Sequence, residues 1–280
     1  WINISQKNCI DVVFKKVRGN NIFGVGKETR SFDFNLGNVM WGVSDVYFDY
    51  MLKRFWSRLI IGYWSMCGIS GILNFKIKDD NFLLDLIKNF NRDLKHRGPN
   101  NSDIWHDKNN YCYLGHTRLS ILDLSNKGNQ PMVDRDKKFV ISFNGEIYNF
   151  REIRKTLILL GVKLSSSSDT EILLEGFKIF GKSFIHHLDG MFAFAIYDIE
   201  EQKLYIYRDR AGEKPLYYVY NENLFAFSSE FKSLLNLKKI VNFSISKQSI
   251  FEFLALRYIP NEKTIFNEIK KLQPGCFIEI

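Results

Sequence analysis

Apolar and polar residues alternate along residues 67–75, a pattern that is typical of a half-buried strand. Later stretches that are dense in β-branched and aromatic residues predict further strands at 139–143, 191–198, 203–208, 216–220 and 224–227. The first of these stretches is followed by Asn144 and Gly145, a pair that predicts a turn.

Three other stretches carry apolar residues at helical spacing. In residues 81–95 these positions are Phe82, Leu83, Leu86, Ile87, Phe90 and Leu94. Residues 151–160 predict a second helix that ends before Gly161, and we expect Asp169 to cap a third helix that runs to Phe180. Because single strands and single helices do not alternate, the pattern predicts an α+β layer structure.

The composition changes near Met66, which we interpret as a domain boundary. Four of the five tryptophans precede this residue and all five prolines follow it. Residues 1–66 contain nine basic and five acidic side chains, so they carry half of the net charge of +8. The rest of the chain is close to balanced, and we therefore do not expect a nucleic-acid partner.

Residues 1–66 match no pattern that we can assign. Their stretch 46–65 mixes aromatic, apolar and basic residues. A partly buried helix of unrelated upstream sequence and an amphipathic helix at a membrane interface both remain open for this stretch. We favour the first interpretation and treat residues 1–66 as extraneous to the domain that follows.

The four cysteines among 280 residues form no C-x-x-C pair, so neither a disulfide framework nor a zinc ribbon is expected. No apolar run reaches the roughly 18 residues of a membrane span, and no secretory signal is recognisable. These features predict a cytoplasmic protein without a membrane partner and without a metal site.

The candidate chemistry begins at Cys67. If translation began at Met66 and this residue were removed, Cys67 would carry a free α-amine. An α-amine has a pKa of about 7.7–8.0 and can therefore act as the base for the thiol of the same residue. A structural buried thiol is the plainer interpretation of a single cysteine beside a glycine.

A thiol that attacks an amide needs hydrogen-bond donors for the oxyanion, which Asn144 and Gly145 could supply. The same pair could equally be a simple hairpin turn. An amino-acid substrate also needs partners for its two charged groups. Arg118 suits a carboxylate, and Asp169 or Glu146 suits an ammonium, although each could also be a solvated surface residue.

Eight sequence blocks resemble the N-terminal glutaminase domain of the glutamine-hydrolysing asparagine synthetases, which are class II glutamine amidotransferases. In chain order they are Cys67-Gly68-Ile69-Ser70-Gly71-Ile72, His96-Arg97-Gly98-Pro99, Leu114-Gly115-His116-Thr117-Arg118-Leu119-Ser120-Ile121, Phe143-Asn144-Gly145-Glu146-Ile147-Tyr148-Asn149, Ser168-Asp169-Thr170-Glu171, Leu188-Asp189-Gly190-Met191-Phe192, Arg208-Asp209-Arg210-Ala211-Gly212-Glu213-Lys214-Pro215 and Phe227-Ser228-Ser229-Glu230. The resemblance covers residues 67–280. One departure from the family pattern is Asn100, which stands where Asp is usual.

The resemblance implies the N-terminal-nucleophile hydrolase fold, a four-layer αββα sandwich of two antiparallel sheets. It implies Cys67 as the nucleophile, with Asn144 and Gly145 as the oxyanion hole. It places Arg118 on the glutamine carboxylate and Asp169 on the ammonium. The implied glutamine pocket consists of Arg118, Leu119, Ser120, Ile121, Leu122, Asn144, Gly145, Glu146 and Asp169.

In the family, glutamine is hydrolysed to glutamate, and the ammonia serves the amidation of aspartate to asparagine in a second domain that uses ATP and Mg²⁺. The chain contains no Ser-Gly-Gly-x-Asp-Ser pyrophosphate loop. We therefore expect L-glutamine as the ligand of residues 67–280, no cofactor in this chain, and ATP and Mg²⁺ in a synthetase domain that is linked in cis but absent here. A homodimer remains open.

Two other functions remain open on the sequence alone. One is a non-catalytic amidotransferase-like module for binding or interaction. The other is an amidotransferase with a different acceptor, as in surface-polysaccharide synthesis, because the glutaminase half would not contact the acceptor.

Overall fold

Two antiparallel sheets form the centre of the protein. The computed structural model describes residues 66–107, 109, 111–120 and 125–280. The six-stranded sheet has the spatial order β10 (Lys270–Lys271), β8 (Tyr217–Tyr220), β9 (Leu224–Ser228), β1 (Gly68–Asn74), β3 (Cys112–Arg118) and β2 (Asn101–His106). The five-stranded sheet has the order β11 (Phe277–Glu279), β7 (Lys203–Arg208), β6 (Gly190–Asp198), β5 (Phe139–Ile147) and β4 (Met132–Val133).

The described residues contain five α-helices, and four of them contribute buried side chains to the layers outside the sheets. In chain order they are α1 (Asp80–Asp93), α2 (Phe150–Leu159), α3 (Asp169–Phe180), α4 (Phe231–Leu234) and α5 (Lys247–Leu256). Short 3₁₀ helices lie at Asn126–Gly128, Gly181–His187 and Leu235–Lys239. Within the described ranges, no helix is both long and apolar enough to cross a membrane.

The sheets pack face to face through one apolar core, because alternate residues of each strand point inward. The six-stranded sheet contributes side chains that include Ile69, Leu114, Phe225 and Phe227. The five-stranded sheet contributes Val140, Ala193, Ala195 and Ile206.

The outward-pointing residues of each sheet pack against helices. Residues of α1, including Leu83 and Phe90, pack on the outer face of the six-stranded sheet. Residues of α2 and α3, including Leu157 and Phe177, pack on the outer face of the five-stranded sheet. The four layers confirm the predicted α+β class and the αββα arrangement.

The prediction of a turn at Asn144 and Gly145 was wrong. Both residues lie inside β5, where they pair with Ala193 and Phe192 of β6. Glycine is needed here for close packing, since a Cβ atom on residue 145 would lie 2.3 Å from the carbonyl oxygen of Met191. The strand therefore continues for four residues beyond the predicted end, to Ile147.

The prediction that Asp169 caps a helix was also wrong. The side-chain oxygen of Ser168 accepts a hydrogen bond from the Thr170 amide at 3.0 Å, which makes Ser168 the N-cap residue of α3. Asp169 is the first residue inside the helix. Its carboxylate is thereby free of the capping role and turns toward the end of β5.

Candidate active site

Cys67 directly precedes β1 and is half-buried. The Leu119 amide donates a hydrogen bond to its Sγ atom at 3.3 Å, and Sγ lies 3.6 Å from the Leu119 carbonyl oxygen. Burial raises the pKa of the Cys67 thiol, and the backbone contact with Leu119 opposes this effect. A thiol with a raised pKa needs a base before it can attack a substrate.

Two hydrogen bonds hold the backbone around Cys67. Thr117 accepts a hydrogen bond from the Gly68 amide at 3.1 Å, and Arg97 donates from Nε to the Cys67 carbonyl at 3.3 Å. Arg97 is itself paired with Glu230 at 2.9 Å. These contacts fix the position of the thiol relative to the end of β3.

Asn144 lies on the face of β5 that points toward the six-stranded sheet, and it is fully buried. Neither Oδ1 nor Nδ2 of its side chain has a hydrogen-bond partner among the residues that the structure describes. A buried amide without a partner costs free energy, commonly about 1–3 kcal/mol, so such groups are rare in proteins outside functional sites. The amide is available to a ligand in the adjacent cleft.

Arg118 and Asp169 bring opposite charges to the same cleft. Arg118 is buried at the end of β3, where Nη1 donates to the Ser125 carbonyl at 2.9 Å and to Asn129 Oδ1 at 2.6 Å. The Asp169 carboxylate is buried and accepts from the Ile147 amide at 3.1 Å. The pair can therefore hold the carboxylate and the ammonium of a zwitterionic amino acid.

Burial raises the pKa of Asp169 to about 6, and the neighbouring Glu146 carboxylate adds to this effect. An opposing influence comes from the amide of Ile147, which donates to the carboxylate. A positive group brought beside Asp169 would stabilise its ionised form and lower its pKa again.

Six of the predicted site residues line one cleft at the end of the sandwich, and they are Cys67, Arg118, Leu119, Asn144, Gly145 and Asp169. Glu146 is half-buried next to Asp169 but is not part of the cleft wall. Ser120 lies beside the cleft, and its amide donates to Asn100 Oδ1 at 3.0 Å. The predicted residues Ile121 and Leu122 lie outside the described residues.

The contact between Ser120 and Asn100 can form with either Asn or Asp at position 100. The hydrogen bond uses only a side-chain carbonyl oxygen as acceptor. Asn and Asp both present such an oxygen at this position. The loop that follows β3 keeps its anchor with either residue.

Sequence reasoning missed Gln130, which also lines the cleft. Its Oε1 accepts from the Phe143 amide at 2.6 Å, and its Nε2 donates to Thr170 Oγ1 at 3.2 Å. Gln130 therefore ties the strand of Asn144 to the helix of Asp169. A lone glutamine carries no sequence signal that could have revealed this role.

His116 is fully buried near the cleft, with Nε2 at 3.1 Å from the Phe143 carbonyl oxygen. Burial lowers its pKa to about 4, so the imidazole is neutral at working pH. Among the described residues, no group of three or more His, Cys, Asp or Glu side chains could hold a metal ion. The cleft itself brings the thiol of Cys67 and the side-chain amide of Asn144 together.

The two antiparallel sheets packed between helical layers have a counterpart among solved structures. In fold, the chain resembles the glutamine phosphoribosylpyrophosphate amidotransferase of Bacillus subtilis, with a TM-score of 0.50, 20% identity, and coverage of 60% of this chain and 43% of that one. The glutamine amidotransferase domain family matches residues 66–280. The chain belongs to this family.

The sequence relatives agree with this assignment. Asparagine synthetase [glutamine-hydrolyzing] 1 of Bacillus subtilis is 36% identical over 211 residues, which are 75% of this chain and 33% of the relative. Asparagine synthetase [glutamine-hydrolyzing] 3 of the same organism is 33% identical over 215 residues, which are 75% of this chain and 34% of the relative. The predicted resemblance to these synthetases is confirmed, and the chain spans about a third of the length of each.

Proposed function

We propose that residues 67–280 are the glutaminase unit of an asparagine synthase and hydrolyse L-glutamine to glutamate and ammonia. The observation that carries this proposal is the cleft that Cys67 shares with the side-chain amide of Asn144, which has no hydrogen-bond partner in the described part of the chain. The sequence relatives, which are named as glutamine-hydrolysing asparagine synthetases, support the same function.

The first step forms a thioester. The α-amine of Cys67 takes the proton of the thiol, and the sulfur attacks the carbonyl carbon of the glutamine side chain. As the C–S bond forms, the carbonyl electron pair moves to oxygen. Asn144 Nδ2 and the Gly145 amide donate hydrogen bonds to this oxyanion, which is more highly charged than the carbonyl oxygen of the substrate.

The second step releases ammonia and then glutamate. When the tetrahedral intermediate collapses, the C–N bond breaks and the protonated α-amine returns its proton to the leaving nitrogen. Water then adds to the thioester and passes a proton back through the same amine. The C–S bond breaks, glutamate leaves, and the thiol is restored.

Arg118 and Asp169 would orient the substrate. The guanidinium is held by Ser125 and Asn129, so it can meet the glutamine carboxylate without a large loss of side-chain freedom. The Asp169 carboxylate would receive the α-ammonium. Two charged contacts at one end of glutamine place its amide carbon at the thiol, because the length of the side chain is fixed.

The ammonia would be used by a synthetase domain in cis, which binds ATP and Mg²⁺ and amidates aspartate to asparagine. The support for this step is the length of the relatives, since the present chain covers only about a third of each. A cytoplasmic location and, in the assembled enzyme, a homodimer belong to the same proposal.

The decisive test compares one chain before and after a single cut. In the full chain, residues 61–66 are replaced by Glu-Asn-Leu-Tyr-Phe-Gln, after which a sequence-specific protease cleaves, so that Cys67 becomes the first residue. We expect glutamate release from glutamine only after cleavage, because an amide nitrogen is not basic. Mass spectrometry confirms each N-terminus.

Two variants of this chain serve as controls. Cys67→Ala should abolish glutamate release after cleavage. Cys276→Ala removes a cysteine of the inter-sheet core and should leave turnover in place. Full activity of the uncleaved chain would show that the base is not the α-amine. No activity of the cleaved chain would contradict the proposed function.

A further inference from the structure

One edge of β5 loses its neighbouring strand before β5 itself ends. β4 is the outermost strand of the five-stranded sheet, and it pairs with β5 at Val140 and Ile141. Beyond Ile141, the described residues offer this edge no further strand, although β5 continues to Ile147. Backbone groups on an open strand edge need other partners or stay available to a ligand.

Two side chains replace the missing strand at Phe143. The Phe143 amide donates to Gln130 Oε1 at 2.6 Å, and the Phe143 carbonyl oxygen lies 3.1 Å from His116 Nε2. Because a carbonyl oxygen can only accept, Nε2 of His116 carries the hydrogen of this contact. Both backbone groups of Phe143 are thereby satisfied by side chains.

The Gly145 amide lies on the same edge of β5. The Ile147 amide donates to Asp169 Oδ2 at 3.1 Å, so this position of the edge also has a side-chain partner. Backbone groups of successive strand residues point to opposite edges, and the pairing of β5 with β6 is unbroken along the whole strand. Positions 143, 145 and 147 therefore share one edge, and the Gly145 amide points outward between two positions that side chains occupy.

Gln130 connects this edge of β5 to α3. It is 7% exposed, and its Nε2 donates to Thr170 Oγ1 at 3.2 Å while its Oε1 accepts from the Phe143 amide. The first turn of α3 is itself fixed, since Ser168 accepts from the Thr170 amide at 3.0 Å. A side-chain amide that is bonded at both its oxygen and its nitrogen is held in one orientation. Phe143 is therefore tied to a rigid helix end.

We propose that Gln130 is a positioning residue that holds β5 at Phe143 and thereby aims the Gly145 amide into the cleft. The inference rests on the proposed function, in which that amide donates to the oxyanion. Such a donor must lie about 2.7–3.1 Å from the oxyanion, and a displacement of about 1 Å can cost about 10²-fold in rate. Phe143 directly precedes Asn144 and Gly145, so loss of its anchor would displace both proposed donors.

The test uses two variants of Gln130 in the full chain with the cleavable segment. Gln130→Met removes both hydrogen bonds and keeps the approximate length and volume of the side chain. Gln130→Glu keeps an oxygen that accepts from the Phe143 amide, and the Thr170 hydroxyl can rotate to donate to the second carboxyl oxygen.

Asp134→Asn is the matched control. Asp134 Oδ1 accepts from the Phe139 amide at 2.7 Å, four residues before Phe143 on the same edge of β5. The Asp134 carboxylate also pairs with Lys178 at 2.8 Å. Loss of this charge should lower the free energy of unfolding without moving Gly145, so the control separates a general loss of stability from a change at the cleft.

The Gly145 amide can be observed without turnover. Asn144 and Gly145 form the only Asn-Gly pair of the sequence. Labelling with ¹³C-carbonyl asparagine and ¹⁵N-glycine therefore gives a single signal, that of the Gly145 amide, in a carbonyl-selected NMR spectrum. The kcat and KM for glutamine are measured on the same cleaved samples.

Gln130→Met should move the Gly145 signal and lower kcat by about 10- to 100-fold. KM should change less, because the oxyanion forms only in the transition state and Asp169 keeps its own contact with the Ile147 amide. Gln130→Glu should restore most of kcat, and Asp134→Asn should change neither kcat nor the signal. An unchanged kcat or an unmoved Gly145 signal in Gln130→Met would overturn the inference, as would a Gln130→Glu variant that is equally slow.

If Gln130→Met fails to fold, Gln130→Asn takes its place, because an amide that is one methylene shorter cannot reach Phe143 and Thr170 together. A normal kcat or an unmoved Gly145 signal in that variant would contradict the inference. A cleaved parent that releases no glutamate contradicts the proposed function, and the Gly145 signals of the variants still test the role of Gln130. An active parent whose Gly145 signal is indifferent to Gln130 contradicts the inference alone.

Discussion

The cleft lies between the two sheets, and the polar side chains on its two sides differ in how far the protein itself satisfies their hydrogen bonds and charges. On the six-stranded side, Cys67 Sγ accepts from the Leu119 amide, and Arg118 donates to Ser125 and Asn129. On the five-stranded side, the Asn144 amide has no partner in the described residues, and burial makes the ionised form of the adjacent Asp169 unfavourable. The groups on the six-stranded side therefore have protein partners before any ligand binds, whereas the groups on the five-stranded side would be stabilised mainly by a ligand.

This difference predicts which side chains contribute mainly to the stability of the fold and which contribute mainly to binding or turnover. Groups that are already paired can be removed only at a cost to the fold or to the geometry of the loop that they hold. Polar groups whose hydrogen-bond or ion-pair partner would be the ligand can be removed with little effect on folding and a large effect on binding or turnover. The predictions below test this separation for one residue after another.

The largest effect is expected for Arg118. Replacing it with Ala leaves the carboxylate of bound glutamine without a partner, a loss that typically costs about 2–5 kcal/mol. We expect the KM of the cleaved chain to rise by about 30-fold or more, while circular dichroism shows unchanged secondary structure. Because Arg118 also donates to Ser125 and Asn129, the free energy of unfolding should fall as well. Steady-state glutamate release gives KM and kcat separately.

Arg118→Lys provides the matched control, since it keeps the charge but loses the planar, two-pronged geometry. Its KM should lie between those of the parent and Arg118→Ala. An unchanged KM in Arg118→Ala would move Arg118 out of the glutamine pocket and leave it as an anchor for the Ser125 loop.

The next effect concerns Asn144, for which Ser142 on the same face of β5 is the control. Asn144→Ala should lower kcat by about 10²–10³ if its amide is an oxyanion donor. The free energy of unfolding should not fall, because the amide makes no hydrogen bond within the described structure. Turnover assays and urea unfolding measure the two quantities.

Ser142→Ala should behave in the opposite way. The Ser142 hydroxyl donates to the Gly115 carbonyl of the other sheet at 3.0 Å. Its loss should lower the free energy of unfolding by about 0.5–1.5 kcal/mol and leave kcat close to that of the parent. Near-normal turnover in Asn144→Ala would remove this residue from the oxyanion hole.

The same contrast explains which parts of the fold could be predicted. Strands with clear alternation, such as β1, and the helix α1 with its apolar stripe were recognised within a few residues of their ends. The strand β3 was missed because its buried residues include Gly115, His116 and Thr117, whose polarity hides the pattern. Gly115 and His116 make hydrogen bonds to β5 of the other sheet, and Thr117 contacts Gly68 and Leu94. A pattern along one strand cannot reveal such contacts.

The residues of the candidate site could likewise be predicted only where a local sequence motif contained them. Residues that carry chemistry in a motif, such as Cys67 and Asn144, were identifiable, although the local environment of Asn144 was wrongly taken as a turn. Residues that act through contacts distant in sequence, such as Gln130, were not. Gln130 contacts Thr170 across 40 positions, and only the folded chain brings the two together.

In the protein without bound glutamine, the ionised carboxylate of Asp169 should lower the free energy of unfolding above pH 6. Its pKa of about 6 in the folded chain exceeds the value of about 3.9 expected in the unfolded chain, so the folded state binds more protons between these values. Stability therefore falls as the pH rises through this window. At pH 8, Asp169→Asn should raise the free energy of unfolding by about 1–3 kcal/mol, as measured by urea unfolding.

The same titration should govern the binding of glutamine, and it gives the smallest effect. The ammonium of the ligand pairs with the ionised form of Asp169, so binding lowers the pKa of that carboxyl and is weakened when a proton occupies it. Calorimetric titration of the cleaved Cys67→Ala chain, which cannot turn glutamine over, measures Kd from pH 5 to pH 8. We expect a constant Kd above pH 7 and a rise of close to tenfold per pH unit once the pH is well below 6. The double variant with Asp169→Asn should bind more weakly at pH 8 and show no such rise. A Kd of the Cys67→Ala chain that stays flat down to pH 5 would mean that Asp169 is not the partner of the ammonium.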